Sequence, residues 1–296
     1  MDINNLTADN RYGLRIGAGN ALFLFICWWL LAWIFGAVVI THIGAATLGR
    51  LRVAIMLQDI IIFILPTLMT LAIAARNPWK FCHISQSPGT ANSLLTLATI
   101  VVAIPAMNLI IKWNEGLHLP ESMASIENFL RNAEDNANAT ITMLLGETGI
   151  GDMLISVLLI GILTGVAEEL FFRGGLQNIL KAMFHNRHLA VWVTAFVFSA
   201  IHMQFFGFFP RLIMGVFFGY LVLWSGSLWL SIIAHSFNNS IVVLTMWLTK
   251  TNRLSEDINN IGTEGSMQSI VAVIISAVLT AVIIYYMKKR TANSYK

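Results

Sequence analysis

Four polar side chains that could act together on a water molecule lie in long apolar runs of this sequence. They are the carboxylate of Glu168, the imidazoles of His202 and His235, and the amide of Asn239. A carboxylate and an imidazole side by side can share a proton, which makes a water molecule between them nucleophilic at neutral pH. An amide nearby can donate a hydrogen bond to the oxyanion that forms on an attacked carbonyl group. These residue types favour hydrolytic chemistry.

Helical spacing divides the charged residues of GVAEELFFRGG, residues 165–175, into two groups. Glu169 and Arg173 are four positions apart, so on a helix they share a face, with the acidic residue first in the favourable order. Glu168 is rotated by about 100° from its neighbour and cannot join that pair. His235 and Asn239 are also four apart and share a face. We therefore expect the ion pair to neutralise itself and Glu168 to meet the two histidines.

Other polar and small residues bear on how these groups could meet. Gly161 and Gly165 are four positions apart and form a helix face of small residues just before the glutamates. A neighbouring helix can approach such a face closely. Asp59 is another carboxylate in an apolar run, and its spacing assigns it no partner. Taken singly, each polar residue is best interpreted as a satisfied buried group. As a set on three apolar runs, they favour a functional site.

The composition indicates that the apolar runs cross a membrane. Hydrophobic residues make up 57% of the 296-residue chain and charged residues only 11%, whereas a soluble domain carries about a quarter charged residues. An integral membrane protein is the class that fits. The formal net charge of +3 is small, and we expect no nucleic-acid partner. Cys27 and Cys82 are too few for a disulfide scaffold or a zinc finger, so both are expected to pack.

Runs of about 20 apolar residues predict an all-α fold, a polytopic transmembrane helix bundle. The first run begins near Ala21 and is long enough to span, so we expect an uncleaved anchor. No repeat or linker divides the chain, which predicts a single domain over 1–296 with a motif-bearing core of about 153–249. The eight predicted spans are 21–41, 53–75, 94–112, 153–171, 189–206, 212–224, 228–249 and 267–287.

The distribution of basic residues predicts the orientation. Eight spans put both ends of the chain on one side, and that side holds the larger share of the 18 Lys and Arg residues, with Arg11, Arg173 and Lys296 among them. Cytoplasmic loops carry such an excess, so we expect cytoplasmic termini. The polar segment 113–152 then lies outside the membrane on the other side. It contains an amphipathic helix with apolar positions at Met123, Ile126, Phe129, Leu130 and Ala133.

The polar stretches also resemble the motifs of a known family. The pattern EExxxR occurs at 168–173, FxxxH at 198–202 and HxxxN at 235–239. In this order, each on its own apolar run, they resemble the signature of the CPBP family, which contains CAAX prenyl proteases and bacteriocin-processing enzymes, also called Abi proteins. The resemblance covers about 155–245. It implies an intramembrane endopeptidase.

The resemblance also implies a role for each residue. Glu168 would activate the attacking water with the help of His202, while His235 and Asn239 would hold the water or stabilise the tetrahedral oxyanion. Members of the family are regarded as glutamate-dependent, so no cofactor is expected. Two histidines and a glutamate are also a plausible zinc set. If a metal is used, its ligands would be Glu168, His202 and His235.

The resemblance also implies supporting roles for Glu169, Arg173 and Phe198. Of these, Phe198 would pack against the site. The implied substrate is a peptide or a membrane-tethered protein, and we expect a multi-pass protein of a bacterial plasma membrane. The predicted spans contain one conflict. His202 lies near the far end of the fifth span, whereas His235 lies early in the seventh, which runs in the same direction. Those positions would place the two imidazoles at different depths.

Two alternative functions stay open. A membrane protein without proteolytic activity could bind a peptide in the same cavity, as an immunity factor does. A proton-coupled transporter could use intramembrane Glu and His as a proton relay. Against the transporter, the sequence shows no paired repeat halves with matching interrupted helices.

Overall fold

The computed structural model describes residues 13–254 and 260–294, and this part of the chain is helical. Arg11 and Lys296, which entered the orientation prediction, lie outside the described residues. An isolated antiparallel bridge joins Leu14 and Ala75. We number the described helices α1 (Ala18–Ile43), α2 (Leu48–Ala74), α3 (Pro78–Phe81), α4 (Thr90–Glu115), α5 (Ala124–Leu144), α6 (Ile150–Phe184), α7 (Arg187–Ala200), α8 (Phe208–Ser225), α9 (Leu228–Lys250) and α10 (Met267–Ser294).

The helices confirm an all-α polytopic bundle. Within the described residues, seven helices are long and apolar enough to cross a membrane, and α7 is a shorter apolar helix. Large apolar side chains are exposed on the outer helices, for example Phe23 and Ile34 on α1 and Ile274 and Val278 on α10. Such side chains are stable where lipid covers them. The chain is a multi-pass membrane protein.

The fifth predicted span, 189–206, is wrong at its end. The helix α7 has 14 residues, so it rises only about 21 Å, less than the roughly 30 Å of a hydrocarbon core. It ends at Ala200, and His202 lies in the turn that follows. The early end of α7 removes the predicted difference in depth between His202 and His235. Because His202 lies in a turn, its depth is not set by the axis of the fifth predicted span.

The fourth predicted span, 153–171, is part of a much longer helix. The 35 residues of α6 continue to Phe184 and contain two π-helical segments, Val157–Leu163 and Leu170–Leu176. A third such segment, Asp59–Ile64, lies in α2. In a π-helix the backbone bonds join residues five apart, and such segments occur often at functional sites. Two of the three segments flank the glutamate pair.

Polar side chains bond to carbonyl groups of the π segments in α6. The Asn239 amide donates to the carbonyl oxygen of Ile160 at 3.3 Å. The Asn178 amide donates to the carbonyl oxygens of Arg173 and Gly174 at 3.0 and 3.2 Å. A buried carbonyl group without a partner costs free energy, so these amides stabilise the irregular backbone where the α-helical pattern is interrupted.

Small residues let α9 approach α6 closely, as the sequence spacing predicts. A Cβ atom on Gly165 would lie 3.0 Å from the backbone nitrogen of Ser236, and one on Gly161 would collide with the hydroxyl of Ser240. The close contact brings the glutamates of α6 to the histidine of α9.

The loops and helix ends form two faces of opposite character. The first, which we call the basic face, consists of residues 13–17, 75–89, 181–188, 226–227 and 288–291. These described segments contain no Asp or Glu. Their cations are Arg15, Arg76, Lys80, Lys181, Arg187, Lys288, Lys289 and Arg290. The acidic side chains of the described loops and of α5 lie on the other face. The structure therefore concentrates positive charge on the side that carries the N-terminal end of α1.

The amphipathic helix predicted in 113–152 is α5. Its apolar residues Ile126 and Phe129 are exposed, whereas its polar side contacts the protein. Glu134 accepts a hydrogen bond from the backbone nitrogen of Phe206 at 3.1 Å. The guanidinium of Arg131 lies 3.8 Å from the centre of the Phe206 ring. The helix therefore fixes the turn between α7 and α8.

Candidate active site

The Glu168 carboxylate lies between two histidines carried by other parts of the bundle. Its Oε1 is 4.0 Å from Nε2 of His202, in the turn after α7, and its Oε2 is 3.8 Å from Nε2 of His235, on α9. The three predicted side chains therefore come together. They are largely buried, and the His202 side chain is the most exposed of them, at 26%. The separations exceed a direct hydrogen bond and suit a bridging water molecule.

Both imidazoles are anchored through the ring nitrogen that faces away from Glu168. The His202 Nδ1 atom is 2.7 Å from the carbonyl oxygen of Phe198. A carbonyl group can only accept, so this nitrogen carries the hydrogen and Nε2 of the neutral ring is an acceptor. The His235 Nδ1 atom is 2.8 Å from Oε1 of Glu169. The two Nε2 atoms are therefore held towards the same carboxylate.

Glu169 has two partners, one more than the helical spacing predicts. The predicted ion pair exists, with Nη1 of Arg173 2.6 Å from Oε1 of Glu169, and both side chains are fully buried. The same Oε1 accepts from His235. Arg173 also donates to the carbonyl oxygen of Gly215 at 2.9 Å. The orientation prediction counted Arg173 as a basic residue outside the membrane core. Arg173 is instead buried in the protein, where it connects α6 to α8.

Asn239 is on the same helix as His235, one turn further on. One hydrogen of its amide is used in the bond to Ile160. The amide nitrogen carries a second hydrogen, which remains available for another acceptor.

Aromatic rings enclose the histidines. Phe198 packs edge-on against both imidazoles, with ring centres 5.2 Å from His202 and 5.8 Å from His235. Phe218 of α8 stacks on His235 at 5.0 Å with an interplanar angle of 22°. The guanidinium of Arg173 lies 4.7 Å from the Phe198 ring centre. The sequence predicted Phe198 but missed Phe218, which the pair of glycines at 215 and 219 in its helix could have indicated as part of a close contact.

Asp59 has a partner that the sequence did not predict. Its Oδ2 accepts a hydrogen bond of 2.7 Å from the Thr164 hydroxyl, and the carboxylate is buried. Thr164 is one turn before Glu168 on α6, so this bond fixes α2 against the helix that carries the glutamates. Asp59 also interacts electrostatically with Glu168 and His235.

The residues named as ligands of a possible metal ion, Glu168, His202 and His235, are adjacent. Among the described residues, no group of three His, Cys, Asp or Glu side chains is arranged to hold one. Zinc needs its nitrogen and oxygen ligands at about 2.0–2.2 Å. Two ligand atoms of a tetrahedral zinc ion lie about 3.4 Å apart, and the Nε2 atoms here lie 3.8 and 4.0 Å from the oxygens of Glu168. Nδ1 of each histidine bonds to another oxygen, which leaves both Nε2 atoms facing the carboxylate.

Comparison with known proteins agrees with this geometry. Residues 150–241 match the family model described as Type II CAAX prenyl endopeptidase Rce1-like. No curated protein and no solved structure matches the chain. The matched segment begins with α6 and ends within α9. It contains all three motifs and with them Glu168, His202, His235 and Asn239. This segment, about a third of the chain, is therefore similar to the CPBP family of CAAX-type intramembrane proteases.

Proposed function

We propose that this protein is a glutamate-dependent endopeptidase that hydrolyses a peptide bond in a peptide or membrane-tethered protein of a bacterial plasma membrane. The observation that supports the proposal most directly is the approach of Glu168 to Nε2 of both His202 and His235, within 4.0 Å. A carboxylate between two oriented imidazoles is an arrangement that can hold and deprotonate one water molecule.

In the proposed reaction, the water donates one hydrogen to Glu168 and the other to Nε2 of His202. This leaves a lone pair of the water oxygen directed at the scissile carbonyl carbon. As the carbon–oxygen bond forms, Glu168 takes the proton, and the carbonyl oxygen becomes an oxyanion. Glu168 then returns the proton to the amide nitrogen, the carbon–nitrogen bond breaks, and an acid and an amine leave. Each atom of the water ends in a product.

His235 and Asn239 have positions that support the tetrahedral intermediate. The bond from His235 to Glu169 fixes the ring so that Nε2 stays directed at Glu168, which can share with it the proton taken from the water. The second amide hydrogen of Asn239 is one helical turn away on the same face and can donate to the oxyanion. Phe198 and Phe218 cover the His235 imidazole, and this burial strengthens its hydrogen bonds within the site.

The test is cleavage of a peptide library by the purified full-length protein in proteoliposomes. Wild-type protein should release new termini, and Glu168→Gln and His202→Ala should not. Glu264→Gln, which removes an exposed carboxylate from a loop of the other face, is the matched control and should retain full activity. Equal cleavage by wild type and Glu168→Gln would refute the role of this carboxylate.

A second arm separates a metal-free mechanism from a zinc-dependent one. The proposal requires that activity survive dialysis against a chelator and that the purified active protein contain no stoichiometric zinc. Loss of activity on chelation, restored by zinc alone, would assign Glu168 and the two histidines to metal binding. If no peptide in the library is cut but a peptide binds, the protein is a peptide-binding factor instead.

A further inference from the structure

The basic face contains a cavity lined by two cations, Arg187 and Lys288, from different parts of the chain. Its volume is about 530 Å³. Its lining residues come from the loop before α4, the start of α7, the end of α8 and the end of α10. They include His83, Gln86, Arg187, His188, Trp224 and Lys288. A second cavity of about 430 Å³ adjoins it, because Arg187 and His188 line both, and Lys181 lines the second.

No carboxylate neutralises these cations in the described chain. Neither Arg187, Lys181 nor Lys288 is among the residues that form an ion pair there. The described segments of this face also lack Asp and Glu, so no acidic side chain is close in sequence. The cavity therefore has a positive potential that an anion would reduce.

The walls of the cavity are fixed before any ligand binds. The loop before α4 is joined to the start of α9, where the backbone of Leu228 donates to the carbonyl oxygen of His83 at 3.0 Å. The Ser227 hydroxyl donates to the carbonyl oxygen of Gln86 at 2.6 Å. On the other side, Nδ1 of His188 is 3.0 Å from the hydroxyl of Tyr220. A preformed site loses little conformational entropy when it binds.

The aromatic wall suits the polar boundary of a bilayer. Tyr220 stacks on Trp224 at 5.1 Å, and both lie in the last two turns of α8, where that spanning helix reaches the basic face. Tyr and Trp side chains are enriched at the level of lipid headgroups. Below the cavity, α8 and α10 continue as apolar helices against which acyl chains can lie. A soluble anion would use only the cations and would gain nothing from this wall.

From this geometry we infer that the cavity binds the phosphate headgroup of an anionic phospholipid. The planar guanidinium of Arg187 can hold two phosphate oxygens at once, and Lys288 adds a point charge from α10. Cation clusters between membrane helices bind acidic headgroups in this way. The site lies on different elements from Glu168 and does not depend on the proposed hydrolytic function.

The experiment measures lipid retention by the purified full-length protein, using native mass spectrometry. Phosphatidylglycerol and phosphatidylcholine are compared at equal amounts, and glycerol 1-phosphate serves as the headgroup without acyl chains. We expect phosphatidylglycerol to be retained in preference to both. Arg187→Gln and Lys288→Gln should each weaken its binding about fivefold, since a cation near the surface contributes about 1 kcal/mol.

The matched control is Lys289→Gln. Lys289 is the next residue on α10 and is also exposed on the basic face, but it does not line the cavity. It should bind phosphatidylglycerol as wild type does, and so should Glu168→Gln. Equal retention of the two phospholipids, or equal weakening by Lys288→Gln and Lys289→Gln, would overturn the inference. Binding of glycerol 1-phosphate as tight as that of phosphatidylglycerol would assign the cavity to a soluble anion and would overturn it as well.

Discussion

The imidazole of His235 is held by Glu169, with Nδ1 2.8 Å from Oε1, while its other nitrogen faces Glu168. Two adjacent glutamates on one helix therefore contact the two nitrogens of one ring on another helix. Helical spacing alone assigned Glu169 to Arg173 and only Glu168 to the histidines. The structure gives Glu169 both tasks, because one carboxylate oxygen accepts from the guanidinium and from the imidazole.

This relationship predicts different results for the two glutamates. Glu168→Gln removes the proposed base and should lower kcat by at least about 10³-fold, within the range for general bases. Glu169→Gln keeps a carbonyl oxygen that can accept from His235, so the ring stays oriented and the loss should be smaller, about tenfold to 10²-fold. Steady-state kinetics with one cleavable peptide checks both. Equal losses in two well-folded variants would contradict the distinction between base and positioning residue.

The buried ion pair predicts that Arg173 is needed for folding. Arg173→Met leaves the Glu169 carboxylate buried with one donor fewer, which should cost about 3–5 kcal/mol. The measurement is the apparent melting temperature in detergent, together with the yield of monodisperse protein. The double variant Arg173→Met with Glu169→Gln removes the uncompensated charge and should recover much of the stability. Wild-type stability in the single variant would show that the pair contributes little.

The contact between α6 and α9 predicts contrasting effects of alanine at three glycines. Gly165→Ala would push a Cβ against the backbone of Ser236 and should destabilise the protein by about 1–3 kcal/mol, with loss of activity. Gly151→Ala should have no such effect, because nothing lies within 4 Å of its Cβ position.

The third glycine tests the geometry of that contact. At Gly161 the colliding atom is the side-chain oxygen of Ser240, while the other two nearby Ser240 atoms are at 3.4 Å. The double variant Gly161→Ala with Ser240→Ala should therefore recover melting temperature relative to Gly161→Ala alone. No rescue is expected for Gly165→Ala with Ser236→Ala, since the backbone cannot be removed. Rescue there would show that the helices are further apart.

A histidine on the basic face predicts a pH-dependent stability. Burial, with the nearby Lys181 ammonium, lowers the pKa of His83 to about 4 from its ordinary value of 6.5, against the hydrogen bond with Asn178. Because the folded pKa is depressed, the full contribution of the neutral ring is present above pH 6.5 and is lost as the pH falls towards 4. Between pH 7 and pH 5 the loss should be about 2 kcal/mol.

The check is the apparent melting temperature across that window. His83→Asn should flatten the pH dependence, and asparagine tolerates the left-handed backbone at this position, where φ is 60°. His42→Gln, which changes an exposed histidine of α1, should keep the wild-type slope. A His83→Asn protein with an unchanged slope would assign the effect to other groups.

The sequence was informative where polar residues are rare in apolar runs. It predicted the meeting of Glu168 with both histidines, the ion pair of Arg173 and the close face at Gly165, because each follows from spacing on one helix and from the cost of burying charge. It could not locate the turn at His202, since the apolar composition continues through that turn. It also missed Phe218, because only the close contact indicated by Gly215 and Gly219 separates this buried ring from the less buried aromatic residues of α8.

The π-helical segments were equally hidden, because no residue type marks a backbone bond between residues five apart. Val157–Leu163 and Leu170–Leu176 stand on either side of Thr164–Glu169. A π segment is equivalent to a one-residue insertion into a regular helix. It holds the extra residue within one wide turn and leaves the residues beyond it in the orientation that a regular helix without that residue would give them.

That relation predicts where a change of length would matter in α6. Deleting one residue from Val157–Leu163 would return that turn to regular pitch and leave Glu168 and Glu169 directed as they are relative to the N-terminal half of α6. Deleting one residue before Glu168 from the regular segment Thr164–Glu169 would instead turn the pair by about 100° relative to that half. The π segments are therefore places where α6 can lose a residue and keep the direction of its carboxylates.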